Sequence, residues 1–235
     1  MEKRVFNKDI VKKGKLIYPN EMYEYQGYVY QFFCYLGMLN PAFLNVLGGD
    51  DELWLERLYN SGIRNIEGAN YPEFALTYME KVIGYTTKYL KNYVHLDEKI
   101  KTMGINNRIR LFIMTSKILE QIHNTGVRHG DIHSQNIMTN GNDISFIDFN
   151  NCALASEMSE SAFNGLLKKE RGDFATYAFQ TIFGDAALDN DNQNTPLILQ
   201  EFMEEVKHGD SAYPHEILND MKDYQYDSEK KLYLK

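Results

Sequence analysis

The chain carries only two cysteines, Cys34 and Cys152, in 235 residues. Two thiols are too few for a disulfide framework or a Cys-rich metal site. The length suits one large domain or two small lobes and is enough to bury a sizeable core. No apolar stretch approaches the roughly 18–20 residues that a membrane-spanning helix requires, and the N-terminal MEKRVFNKDI lacks the apolar centre of a signal peptide. A cytoplasmic setting with no membrane partner is therefore expected. Runs of Lys and Arg are missing as well. The formal net charge is -8, with 33 acidic against 25 basic residues, which argues against a nucleic-acid partner. Internal repeats and low-complexity segments are absent.

What is present is an ordinary globular composition, 43% hydrophobic and 25% charged, with 17 Tyr and 13 Phe that fall mostly at apolar-periodic positions and suit a packed core. The first 18 residues read as strand and turn. Met22, Val29, Phe32, Phe33 and Leu36 recur at roughly helical spacing and predict a helix from Asn20 to Gly37. Trp54 to Tyr59 is apolar and of uncertain type, and Asp50-Asp51-Glu52 reads as a solvated turn. Arg64 to Ile66 and Phe74 to Tyr78 look like strands, and Leu76 to Thr87 like a strand running into a connector. Asn107 to Asn124 is the clearest helix, with Ile109, Phe112, Ile113, Leu119 and Ile122 on one face and Gly126 at the left-handed C-terminal position. Helical patterns follow from Asp173 to Phe183 and from Pro196 to Val206, and the charged, Tyr-rich last roughly 20 residues read as loosely held.

The densest chemistry lies in GVRHGDIHSQNIMTNGNDISFIDFN, Gly126 to Asn150. Asn140-Gly141 signals a tight hairpin between Asn136-Ile137-Met138 and Ile144–Ile147. Asp131 and Asn136 enter that hairpin and Asp148 leaves it, so an antiparallel pairing brings the three side chains toward one point. Two carboxylates and an amide oxygen suit a hard divalent cation such as Mg²⁺, which takes oxygen ligands and borrows others from substrate phosphates. A carboxylate beside such a site can orient or accept the proton of an attacking hydroxyl. These are the parts phosphoryl transfer needs.

His129-Gly130-Asp131-Ile132-His133-Ser134-Gln135-Asn136 resembles the catalytic loop H-x-D-x-x-x-x-N, and Asp148-Phe149-Asn150 resembles the metal-binding D-F-G. The chain thus resembles the protein-kinase-like superfamily. The H-G-D form and His133 are similar to the aminoglycoside and choline kinases and the small atypical kinases of the Rio kind. The resemblance implies an α+β fold of two lobes: a reduced N-lobe over residues 1–82 and a mainly helical C-lobe over 83–235. It implies ATP and Mg²⁺ as cofactors, with Asp131 and Asn136 catalytic and Asn136 and Asp148 holding the metal. Lys12, with Lys8, Lys13 and Lys15 as rivals, would be the phosphate-binding lysine of the third strand, and Glu24 its ion-pairing acid on a regulatory helix. Glu80 and Val82 would lie near the adenine at the hinge, and Asp173 would hydrogen-bond the catalytic-loop backbone. No Gly-rich phosphate loop is visible, and Asn150 stands where the family has Gly. Three functions stay open: an atypical protein kinase with a protein substrate or partner, a pseudokinase acting as a binding module, and a small-molecule kinase.

Overall fold

A computed structural model describes residues 1–7, 9–18, 22–33, 49–184, 197–208, 213–221, 225–227 and 232–234. The chain divides into two compact units, Met1–Asn65 with Asn70–Asn92, and Ile66–Ala69 with Tyr93–Lys235. The architecture is α+β. The division falls after Asn92 rather than at 82, because the strand containing Val82 runs on to Lys88 inside the first unit.

The first unit is built on a six-stranded sheet of β1 (Glu2–Val5), β2 (Lys15–Tyr18), β3 (Met22–Tyr25), β4 (Tyr28–Phe32), β5 (Phe74–Tyr78) and β6 (Lys81–Lys88). Their order is β1-β5-β6-β4-β3-β2, antiparallel throughout except for β1 beside β5. Helix α1 (Asp9–Lys13) contributes Ile10 to a cluster with Tyr23, Tyr30, Phe32, Leu76 and Ile83. Helix α2 (Gly49–Asn60) contributes Leu55 to a second cluster with Ala75, Val82 and Tyr85. Adjacent residues of β5 and of β6 thus serve opposite clusters, as the two-residue period of a strand requires. Val82 to Thr86 are buried without a break, the pattern of a strand covered on both faces.

The helix expected from Asn20 to Gly37 is, over its described residues, the β3–β4 hairpin. Tyr23, Tyr25, Tyr28, Tyr30 and Phe32 have the alternation and β-propensity of strands, and the apparent helical spacing was incidental. Gln26 (φ 53°) and Gly27 (φ 82°) are both left-handed, as a two-residue turn of the primed type requires. Glu24 therefore lies on a strand, opposite Lys15 and Val29. The expected strand at Arg64 is a single 3-10 turn, Ile63–Asn65. Asp50, Asp51 and Glu52 lie in the first turns of α2, and Glu52 pairs with Lys3.

The second unit is mainly helical. Strand β7 (Val94–His95) precedes helix α3 (Leu96–Ile100), which leads into α4 (Ile105–Asn124), the helix expected from Asn107. Gly126 (φ 78°) follows it, donating its N–H to the His123 carbonyl at 2.9 Å. Helix α5 runs Glu160–Phe183, beginning well before the expected Asp173. Ser159 caps it by accepting from the Ala162 N–H at 3.3 Å. Gly165 and Gly172 obscure this helix in the sequence, since an interior glycine costs about 1 kcal/mol relative to alanine. Packing overrides that preference: Phe174, Ala175, Ala178 and Phe179 are buried, and Phe112 of α4 meets Phe174 at 6.1 Å between ring centroids. Helix α6 (Leu197–His208) brings Phe202 to 5.1 Å from Phe179. Helix α7 (Pro214–Met221) reaches into the start of the C-terminal stretch of roughly 20 residues expected to be loosely held, and its Leu218 and Met221 are fully buried. Among the described residues, no helix is long and apolar enough to cross a membrane.

Candidate functional site

Two short pairings frame the site. Strand β8 (Val127–Arg128) pairs with β11 (Ala153–Leu154), and β9 (Ile137–Thr139) pairs with β10 (Ile144–Phe146), all antiparallel. The β9–β10 hairpin is the expected one, with a loop wider than two residues. Asn140 Oδ1 accepts from the N–H groups of both Asn142 (2.8 Å) and Asp143 (2.9 Å) and shapes it, with Gly141 at φ 100°. At the base of the hairpin the Ile147 N–H donates to the Asn136 carbonyl at 3.0 Å. That bond ties the strand leading to Asp148 to the loop carrying Asp131.

Asn136 is buried. Its Nδ2 donates to the Asp131 carbonyl (3.0 Å) and to Asp131 Oδ2 (3.2 Å). Both amide hydrogens are thereby engaged, and Oδ1 is the atom Asn136 has left for a ligand. Asn151 Nδ2 also donates to Asp131 Oδ2, at 3.3 Å. Asp131 Oδ1 faces His133 Nε2 at 3.6 Å. His133 Nδ1 accepts from the Gln135 N–H at 3.2 Å, so the proton of a neutral His133 sits on Nε2, toward Asp131. Gly130 is obligatory here. Its φ is 89°, and a Cβ would lie 1.9 Å from the Asn151 carbonyl oxygen.

His129 is buried and bridges the loop to the strand before Asp148. Its Nε2 donates to the Ile147 carbonyl at 2.9 Å, its Nδ1 accepts from the Asp131 N–H at 3.4 Å, and its ring lies 4.7 Å from that of Phe149. Burial pushes its pKa below the ordinary value against the opposing pull of Glu170, Asp148 and Asp131. A neutral, structural imidazole follows.

Asp148 has a left-handed backbone (φ 61°, ψ 70°), which costs a non-glycine residue about 1–3 kcal/mol and clusters at functional sites. Its Oδ1 is buried with no hydrogen-bond partner. A buried carboxylate oxygen without a donor is unfavourable unless a cation compensates it. Among the described residues no group of three His, Cys, Asp or Glu side chains is placed to hold a metal ion. Asp148, Asp131 and the Asn136 amide instead each offer an oxygen donor. Hard oxygen ligands of this kind fit Mg²⁺, which keeps several of its waters.

The residue that holds the loop from beneath is Glu170, not Asp173. Asp173 is exposed on α5. Glu170, one turn earlier, is 3% exposed. Its Oε1 accepts from the Gly130 N–H (2.6 Å) and lies 3.5 Å from Arg128 Nε. Its Oε2 accepts from the His129 N–H (3.1 Å) and from His123 Nε2 (2.9 Å). Burial drives its pKa upward, but the His123 and Gly130 bonds outweigh it and the net shift is downward. His123 Nδ1 in turn accepts from the Tyr213 hydroxyl at 2.8 Å, whose pKa burial pushes up to about 12. In the sequence, Glu170 stands within Lys168-Lys169-Glu170-Arg171 and reads as part of a solvated face.

The other expected residues belong to the first unit. Lys12 is exposed on α1, beside the Asp9–Lys13 pair at 2.9 Å. Lys15 is exposed on β2, and Lys8 lies outside the described residues. Glu80 (φ 65°) and Met79 (φ 49°) form the two-residue turn between β5 and β6, so that stretch is a hairpin and not a hinge. Val82 is 6% exposed within the α2 cluster. No family model matches this chain, and no curated protein matches it in sequence.

Proposed function

We propose that the chain is an ATP- and Mg²⁺-dependent phosphotransferase of the protein-kinase-like kind, moving the γ-phosphoryl group to a hydroxyl, most simply that of a protein. A cytoplasmic setting belongs to the same reading. The observation that carries it is the unpartnered, buried Asp148 Oδ1 on a strained backbone, tied through Ile147 and Asn136 to a positioned Asp131. A strand-built first unit followed by a mainly helical second unit, as the motif resemblance implies, is consistent with it.

Asp148 and Asn136 Oδ1 would hold the cation, which when bound neutralises charge developing on the transferred phosphoryl group. Asp131 would receive or orient the acceptor hydroxyl's proton. The Asn136 and Asn151 amides fix its Oδ2, leaving Oδ1 as the oxygen open to a substrate. His133 Nε2 stands beside that oxygen and can polarise the same hydroxyl.

One observation favours the pseudokinase reading. Along the antiparallel run β2–β3–β4, the third strand is Tyr-Val-Tyr-Gln-Phe and has no lysine. Gln31 accepts there from the Tyr85 hydroxyl at 2.7 Å. A melting experiment with ATP, with and without Mg²⁺, tests both readings. At a hundredfold excess over Kd, binding to the folded state alone adds about 2.7 kcal/mol, a rise of several degrees. Asp148→Ala should abolish the Mg²⁺-dependent part while the ligand-free variant melts no lower than wild type. An unchanged shift in the variant removes Asp148 from the site. A shift without phosphoryl transfer to any acceptor in a lysate favours the pseudokinase.

A further inference from the structure

A cleft of about 340 Å³ opens in the second unit between α3, α4 and the β9–β10 turn. Asn107, Arg110, Leu111 and Met114 line it from α4, at the i, i+3, i+4, i+7 spacing of a single helix stripe. Lys99 of α3 and Asn140–Asn142 of the turn complete it. The Lys99 side chain crosses Gly141, where a Cβ would come 2.8 Å from its Cε and 3.2 Å from its Nζ.

The two cations are the unusual part. The chain carries a net charge of -8, yet neither Lys99 nor Arg110 has an ion pair with any described residue. Of the carboxylates nearby in sequence, Glu98 is exposed on α3 and two others are engaged elsewhere. Asp97 lies 4.0 Å from Lys101, and Asp143 accepts from Asn140 Nδ2 at 2.9 Å. Cations from two separate elements therefore share one cleft. The amides of Asn107 and Asn142 each offer donors and an acceptor, as a peptide backbone needs. Met114 supplies an adaptable apolar contact. A volume at the lower end of the small-ligand range, roughly 300–1,000 Å³, exceeds what a lone phosphate requires.

We propose that this cleft binds an acidic peptide segment of a partner protein, its carboxylates meeting Lys99 and Arg110 and an aliphatic side chain resting on Met114. None of Asp131, Asn136 and Asp148 lines this cleft, and its role does not depend on the catalytic reading.

The test uses the full chain and a short fluorescein-labelled peptide of alternating Glu and Leu, followed by anisotropy. Saturable binding should weaken with added salt. Lys99→Ala with Arg110→Ala should weaken it about tenfold or more, the loss expected for two charge contacts in a partly desolvated cleft. Lys169→Ala, which removes an exposed charge from α5, should bind as wild type. Alanine is well tolerated in helices, and an unchanged melting curve establishes that the double variant is folded. Absence of saturable binding overturns the proposal, as does equal affinity in the double variant. Displacement by inorganic triphosphate at lower concentrations than the unlabelled peptide also overturns it and assigns the cleft to small anions.

Discussion

Glu170 receives hydrogen bonds on both carboxylate oxygens, whereas Asp148 has a buried oxygen that receives none. Both lie in the same unit and both serve the loop-and-hairpin segment from His129 to Asp148. The first carboxylate is satisfied by the fold and holds backbone in place. The second is left wanting by the fold and sits on a left-handed residue. On the proposed function, stability and ligand chemistry fall to different acids, and substitutions should separate them.

The largest effect is expected at Glu170. Glu170→Ala leaves the His129 and Gly130 N–H groups and the His123 proton without their acceptor. Removing one partner from a buried charged network costs about 3–5 kcal/mol, readable as a lower urea midpoint. Asp173→Ala should stay within about 0.5 kcal/mol of wild type, as exposed substitutions do. A reversal of the two would place the loop anchor at Asp173.

Asp131 should behave the opposite way. Asp131→Asn keeps the side-chain shape and should leave the unfolding midpoint nearly unchanged. If transfer is general-base assisted, its rate should fall about 10²–10⁴-fold while ATP binding persists. Labelled γ-phosphate followed in both proteins decides this, and equal rates would remove Asp131 from the mechanism.

Acid should expose the same contrast more gently. Burial lowers the pKa of His129, and also that of His215, whose Nδ1 bonds Ser116 at 3.0 Å and whose Nε2 lies 3.6 Å from Glu120. For a histidine depressed in the folded state, the unfolded chain takes up the proton first. Stability is therefore intact above the unfolded value near 6.5 and falls as pH drops below it. The slope approaches about 1.4 kcal/mol per pH unit for each histidine. Glu170, also depressed, adds loss of the same sign below the ordinary carboxylate range. Urea midpoints at pH 7.5, 6.0 and 5.0 should decline steadily, and a flat profile from 7.5 to 5.0 contradicts buried neutral imidazoles.

The smallest effect is expected at Asn151. Its amide is exposed and supplies one of the two donors to Asp131 Oδ2. Asn151→Ala removes a bond worth at most about 0.5–1.5 kcal/mol, so transfer should slow by no more than about tenfold and stability should fall by no more than that amount. A loss as large as that of Asp131→Asn would make Asn151 more than a positioning residue.

Legibility followed the range of the interactions. Helix α4, Gly126 and the Asn140-Gly141 hairpin were readable because each depends on neighbours a few residues away. The β3–β4 hairpin was misread because aromatic residues fit helical and strand periods alike over a short stretch. The interior glycines of α5 hid a helix that its contacts with α4 and α6 stabilise. Glu170 is not distinguishable from Asp173 in the sequence, because a charged run gives no sign of which member turns inward.

By itself the sequence determined the local parts: an amphipathic helix, a loop with His129, Asp131 and Asn136, a turn and a returning strand to Asp148. Their spacing and turn chemistry are properties of contiguous residues. Only the tertiary structure decided that Glu170 and His123 hold the loop and that Asn151 meets Asp131. Those outcomes depend on burial and on contacts between residues up to 47 positions apart, as for His123 and Glu170. Chain-distant packing sets them, and no local pattern encodes it.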